Sequence, residues 1–268
     1  DLFIKNYGPK TNDPELVYLE PCKRFNSVFK DGYFKSWEDI PTPTIDYILS
    51  YQYQDYNNAN IIKKWFYVFM GRLLYFRGEL DNWEIMTVFV GESKTGKSSI
   101  VNAGRLFYSE KDTVNIPTNS NNKRFDNWKV TCHDKYLCTL HGAAKSTQLL
   151  PLITGEAFDI PERYQTLYGS EKTWNLPGIM ECGVDDFVET YVDNIVEMNE
   201  FMIFFLFDVP TKQNDSSYSE KIEKEISRFL RKCNLAYRQA VRESGKHFNH
   251  IKHKIPKELF MKNQIEVV

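Results

Sequence analysis

The sequence predicts an α/β protein: a parallel sheet flanked by helices, with a helical N-terminal region and a C-terminal helical cap. Three observations carry this prediction. The run from Glu200 to Phe207 is apolar after its first residue instead of alternating, as a strand buried on both faces would be, and it is expected as a central parallel strand. Ile85 to Val90 is a second apolar run, ending in a glycine-bounded turn that leads directly into a helical pattern. Further strand candidates alternate with helical segments, which favours parallel pairing with crossover helices over hairpins.

Taken in order, residues up to about 40 are polar and aromatic, punctuated by Pro9, Pro14, Pro21 and Gly32, and read as loops and short elements. Thr42 followed by Pro43 is a helix start, with the threonine as N-cap and the proline in the first turn. Ile61 to Phe76 places Ile62, Trp65, Phe66, Phe69, Met70, Leu73 and Leu74 at helical spacing, so these aromatics are expected in the core. Beyond the second apolar run, Ser99 to Phe107 reads as a helix, Thr113 to Ile116 as a short strand and Pro117 to Asn127 as a polar loop. Tyr136 to Leu140 and Gly178 to Cys182 are strand candidates, with a helix over Gln148 to Ile153 between them. From Ser219 onward Ile222, Ile226, Phe229, Leu230, Cys233 and Tyr237 recur at helical spacing. The expected division is 1–80 as an N-terminal helical region, 81–212 as the sheet-bearing core and 213–268 as the C-terminal helical extension.

Composition narrows the class. The 268 residues are 42% hydrophobic, enough for a sizeable core, and the formal charge of −2 supplies no bulk attraction to nucleic acid. Any such contact must come from a local patch or from a pore built by several subunits. The five cysteines, Cys22, Cys132, Cys138, Cys182 and Cys233, form no C-x-x-C pair, and their odd number argues for a reducing, intracellular compartment. No stretch approaches the roughly 20 apolar residues of a membrane span. The chain opens at Asp1 without an initiator methionine, and a preceding segment is expected.

The turn after the second apolar run is the chemical centre of the sequence. Gly91, Glu92, Ser93, Lys94, Thr95, Gly96, Lys97 and Ser98 fit G-x-x-x-x-G-K-[ST], the phosphate-binding loop of nucleotide hydrolases. The apolar strand before it and the helix after it are the surroundings this motif requires. Two glycines let the backbone curl so that successive N–H groups point at one anion, and the helix expected from Ser99 adds its positive end. Lys97 is the expected partner of the β- and γ-phosphates and the catalytic residue of this set; the Ser98 hydroxyl is the expected ligand of Mg²⁺; ATP is the expected nucleotide.

Several further stretches sit at spacings that resemble the superfamily 3 helicases, in particular the primase–helicase of poxviruses and other nucleocytoplasmic large DNA viruses. They are Trp65 through Gly71 to Tyr75, Asp81 to Trp83, Gly91 to Ser98, Asn119 to Phe125, Ile153 to Glu156, Tyr191 to Asn194 and Lys232 to Tyr237. The resemblance covers the chain from about Thr42 to its C-terminus. It implies an AAA+-like ATPase that assembles as a homo-hexamer and threads single-stranded DNA through a central pore during viral DNA replication, with a primase domain or partner nearby. It also implies that Ala157 to Trp174 is a pore hairpin, offering Arg163 and Lys172 to the backbone and Tyr164 and Tyr168 to the bases, and that Lys123 and Arg124 engage a neighbouring subunit.

Three departures stand against fast hydrolysis. The resemblance calls for an acidic pair after the second strand, yet Tyr136 to Leu140 runs into His141, Gly142, Ala143 and Ala144. It calls for an asparagine after the third, yet Cys182 is followed by Gly183, Val184, Asp185 and Asp186. The arginine pair expected before the last strand is replaced by Met198 and Asn199. These losses spare binding and threaten turnover, so a nucleotide-binding pseudo-ATPase with a structural or assembly role is the alternative reading. Asp134, Glu156, Glu181, Asp185 and Asp186 are the acids placed to compensate, with Glu156 better read as a hairpin residue and Glu181 as a strand residue at the core edge. A nucleoside kinase is disfavoured because no arginine-bearing lid follows Ser98. His247, His250 and His253 share a helical spacing, but Lys246, Lys252, Lys254 and Lys257 around them favour a solvated basic end over a metal site.

Overall fold

The computed structural model describes residue 25 and residues 36–118, 135–159, 165–166, 171–191, 193, 198, 200–210 and 218–260. In chain order its strands are β1 (Met86–Gly91), β2 (Thr113–Pro117), β3 (Leu137–His141), β4 (Ala157–Asp159), β5 (Glu171–Thr173), β6 (Gly178–Cys182) and β7 (Met202–Phe207). Its α-helices are α1 (Pro43–Gln52), α2 (Ala59–Arg72), α3 (Lys97–Arg105), α4 (Ser146–Thr154), α5 (Val184–Tyr191) and α6 (Tyr218–Ser244). Five strands form one parallel sheet in the order β2-β3-β6-β1-β7, while β4 and β5 pair antiparallel as a separate hairpin.

Side chains alternate across the pleat and give the sheet two apolar faces, each with its own core. On one face Phe89, Leu137, Ile179, Ile203 and Phe205 pack with the buried residues of α1, α2, α3 and α6. On the other, Val88, Val90, Leu140, Met180 and Phe204 pack with Leu149 and Leu152 of α4 and with Phe187 and Tyr191 of α5. The molecule is therefore a helix–sheet–helix sandwich, the α/β class expected from the alternation of elements.

One expectation about the sheet is corrected. The run ending at Phe207 is not central: β7 pairs only with β1 and lies at the end of the described sheet. Its apolar composition reflects burial by helices on both faces, with Ile203, Phe204 and Phe205 fully covered. Burial and position in the sheet are separate properties, and an apolar run reports only the first.

The start of α1 also differs from expectation. Pro43 is in the first turn, but the Thr42 hydroxyl makes no cap bond to the helix backbone. It bonds Asp46 and the Tyr67 hydroxyl instead, each at 2.9 Å, and receives Lys232 Nζ at 3.1 Å. The free amides of the first turn are taken by another element: the Glu225 carboxylate of α6 accepts from the N–H groups of Thr44 and Ile45 at 3.2 and 2.9 Å. Burial raises the Glu225 pKa, and those two amides oppose the rise. A carboxylate at a helix N-terminus does what a side-chain cap would do, and here it ties α1 to α6.

The three histidines fall outside any α-helix. Helix α6 ends at Ser244, Gly245 turns with φ +84, and the chain continues in short 3₁₀ turns. The rings of His247 and His250 meet edge to face at 5.6 Å, and no set of three metal-binding side chains is found among the described residues. No described helix is long and apolar enough to cross a membrane.

Candidate nucleotide-binding site

The loop between β1 and α3 has the backbone the motif demands. Gly91 leaves the strand at φ +153, and a Cβ there would stand 1.9 Å from the carbonyl oxygen of Phe207, so β7 can approach β1 this closely only at a glycine. Gly96 caps α3 in the left-handed region at φ +94. Between them Lys94 is held at φ +64, a conformation that non-glycine residues seldom adopt, at the tip of the loop. Alternation of this kind bends a chain into a concavity of N–H groups. The Lys97 ammonium folds back onto the carbonyls of Gly91 and Glu92 at 2.7 and 2.9 Å. Burial lowers its pKa, and Glu181 is the leading influence raising it again.

Two contacts fix the loop, one within the motif and one from outside it. The Thr95 hydroxyl donates to the Glu92 carbonyl at 2.8 Å. Gln52, at the end of α1 and 1% exposed, donates from its amide to the carbonyls of Thr95 (2.9 Å) and Val209 (2.6 Å) and accepts from the Val209 N–H at 3.1 Å. One buried amide thus ties α1, the loop between β1 and α3 and the chain leaving β7. We expect Gln52→Ala to lose about 1–3 kcal/mol of stability, since it strands buried backbone groups, and to weaken ATP binding. Thermal melting with and without ATP would check this; an unchanged nucleotide-induced shift would show that the loop holds its shape alone.

A cavity of about 550 Å³ opens beside this loop at the C-terminal ends of β1, β3 and β6, where parallel sheets place their ligands. Gly91, Glu92, Ser93, Lys97 and Ser98 line one side; His141, Glu181, Cys182, Asp185 and Asp186 line the other. Glu92, Ser93, Lys94 and Ser98 are exposed, Thr95 is buried, and Gly96, Lys97 and Ser99 are intermediate. The sequence-predicted residues therefore come together as one loop around the start of α3.

The acidic side of the cavity was only partly legible. Glu181 does not face the core edge: its register places it beside both His141 and Phe89, and its side chain enters the cavity, where one carboxylate oxygen pairs with His141 Nδ1. A glutamate inside the otherwise apolar run of β6 was the available signal. Asp185 and Asp186 open α5 and line the same cavity, whereas Glu156 belongs to the β4–β5 hairpin and does not line it. Burial pushes the Cys182 thiol up to about 12, which makes it inert as a nucleophile near neutral pH. Met198 is fully buried. Asp134, Lys123, Arg124, Arg163, Tyr164, Tyr168 and Asn199, and the side chain of Lys172, lie outside the described residues.

No family model matches this chain, and no curated protein matches it. Its fold is nonetheless similar to solved structures. The C-terminal region of NrS-1, in an A-form apo structure, aligns with a TM-score of 0.51 at 12% identity over 84% of this chain and 50% of that one. JCV helicase aligns over 84% of this chain and 61% of that one at 11% identity, with a TM-score of 0.42. The chain spans about half the length of the NrS-1 region it matches. At this identity the likeness concerns the fold alone: a five-stranded parallel sheet covered by helices on both faces.

Proposed function

We propose that this chain is the ATP-binding domain of a superfamily 3 helicase acting in viral DNA replication, coupling ATP hydrolysis to movement along single-stranded DNA as a homo-hexameric ring. The observation that supports this best is the loop itself. A strand, a glycine-bent turn with Lys97 folded over its carbonyls, and a helix opening at Gly96 surround a cavity of a size suited to a nucleotide. The β- and γ-phosphates would draw Lys97 off the two carbonyls it now holds, and the amides of the loop and of the first turn of α3 would receive the phosphate oxygens.

The donor set also suits Mg²⁺. The Ser98 hydroxyl and the carboxylates of Asp185 and Asp186 are hard oxygen groups around one cavity, and no described set of three protein ligands could hold a metal without the phosphates. Bound with ATP, Mg²⁺ supplies charge neutralisation on the transferred phosphoryl group. Ser98 would hold it, Lys97 would orient the phosphates, and the walls of the cavity would limit access of water.

Lys97→Ala is expected to weaken ATP binding roughly 10- to 100-fold, the worth of a charge-assisted contact. Titration with a fluorescent ATP analogue checks this; equal affinity in parent and variant would overturn the site assignment. The pseudo-ATPase reading is favoured by one specific feature: β3 ends in His141, with no carboxylate of its own. Phosphate release in the presence of single-stranded DNA separates the two. Turnover of about 1 per second or faster supports the helicase; tight binding without turnover supports the pseudo-ATPase.

A further inference from the structure

The ends of β3 and β6 carry an arrangement that neither reading assigns. In the parallel register His141 on β3 is the direct partner of Glu181 on β6, and Glu181 is also the partner of Phe89 on β1. Adjacent strands lie about 4.8 Å apart, so the two side chains stand side by side on the sheet. Because Ile179 shares a core with Phe89, Leu137 and the buried residues of α3, while Met180 and Cys182 belong to the other core, Glu181 projects on the side of α3 and the phosphate-binding loop.

Glu181 is buried, His141 is partly exposed, and the pair is only half satisfied. The Glu181 side chain is 9% exposed, and one oxygen accepts from His141 Nδ1. The other oxygen, Oε2, and His141 Nε2 have no hydrogen-bond partner among the described residues. A buried carboxylate oxygen left unpaired is costly, and in a native structure it calls for an explanation such as a catalytic role or a bound water or ion. Both residues line the cavity that holds Lys97 and Ser98. Glu181 also stands close enough to the Lys97 ammonium to shift its titration upward.

We infer that Glu181 is the carboxylate that activates the attacking water, displaced by one strand from the position where the sequence lacks it, and that His141 is its positioning residue. This inference rests on the nucleotide reading above. In the step, the carboxylate of Glu181, which lines the cavity, takes a proton from a water molecule as the water oxygen forms its bond to the γ-phosphorus of ATP. The bond from that phosphorus to the β–γ bridging oxygen breaks, and ADP leaves with the electron pair. The proton then passes from Glu181 to the released phosphate, restoring the carboxylate. His141, donating through Nδ1, fixes one oxygen of Glu181, while the other is covered by protein and has no partner among the described residues. The acid and the polar residue have in effect exchanged strands, which preserves a carboxylate beside Lys97 while erasing the motif from the sequence.

The test uses the 268-residue chain with ATP, Mg²⁺ and single-stranded DNA, measuring affinity and phosphate release separately. Glu181→Gln keeps the shape and the acceptor for His141 but cannot take the proton. Its ATP affinity should stay within about threefold of the parent, and its turnover should fall roughly 10²- to 10⁴-fold, the range for a positioned general base. Its apo melting temperature should match or exceed that of the parent, because an unpaired buried charge has gone; a merely structural ion pair would make it melt lower. His141→Ala should lower turnover with unchanged affinity, and His141→Asn, which restores a donor near Nδ1, should recover it. Parental turnover in Glu181→Gln, or a parent that binds ATP and releases no phosphate, overturns the inference while leaving the nucleotide site intact. A parent that fails to bind ATP removes both.

Discussion

Asp81→Ala is expected to destabilise the chain by about 3–5 kcal/mol, the cost of removing one member of a buried ion pair. Asp81 is 2% exposed and accepts three kinds of donor: Arg72 Nε at 2.9 Å, the Trp83 N–H at 2.8 Å and the Tyr237 hydroxyl at 2.5 Å. Arg72, itself largely buried, also donates to the carbonyls of Ile85 and Trp83. One carboxylate thereby joins the end of α2, the middle of α6 and the segment entering β1. Alanine would leave a guanidinium with two carbonyls and no counter-charge, and would free the Tyr237 hydroxyl in the core. Asp81→Asn keeps an oxygen acceptor and should cost less. Urea unfolding of the three proteins checks the order; a loss below about 1 kcal/mol in the alanine variant would show that the network relaxes instead of breaking.

How far the sequence discloses this molecule depends on how local each determinant is. The glycine-bent loop between β1 and α3 is legible because its backbone requirements sit at Gly91 and Gly96, eight positions encode it, and the strand and helix are contiguous with it. The strands are legible because burial on both faces leaves an apolar run. Pairing partners are not, so β7 reads as central although it ends the sheet. The same limit hides the site's second wall. His141 and Glu181 are 40 residues apart and meet only because β3 and β6 are neighbours in register. Read along the chain, the loss of a carboxylate after β3 is a defect; read across the sheet, a carboxylate stands on the next strand. Gln52 is a further case: nothing at the end of α1 marks it as the buried amide that holds Thr95. Thr42 has the residue type and the following proline of an N-cap, but Asp46, Tyr67 and Lys232 offer its hydroxyl more than the helix does.

Gly71→Val is expected to cost more than about 4 kcal/mol, in the range reserved for mutations that a core cannot absorb. In an isolated helix, replacing glycine by alanine gains about 1 kcal/mol, so the sign here is set by tertiary packing. A Cβ on Gly71 would lie 2.0 Å from the Cys233 carbonyl oxygen and 2.7 Å from the Tyr237 Cβ, both on α6. The nearest obstacle is backbone inside a helix, which cannot swing away as a side-chain tip would. Carbon contacts settle at about 3.5–4.0 Å, so α2 and α6 must part by more than an ångström along a face that carries Cys233, Ala236 and Tyr237. The damage extends beyond stability. Helix α6 supplies Glu225 to the first turn of α1, and α1 delivers Gln52 to the loop before α3. Gly71→Ala is accordingly the informative variant: overpacking should cost about 1–3 kcal/mol, leaving enough folded protein to titrate. Its ATP affinity should fall below that of the parent although Gly71 lies outside the nucleotide cavity. If Gly71→Ala melts at the parental temperature, the two helices are not held at this distance in solution; if it melts lower with unchanged affinity, α1 and its Gln52 keep their place independently of α6.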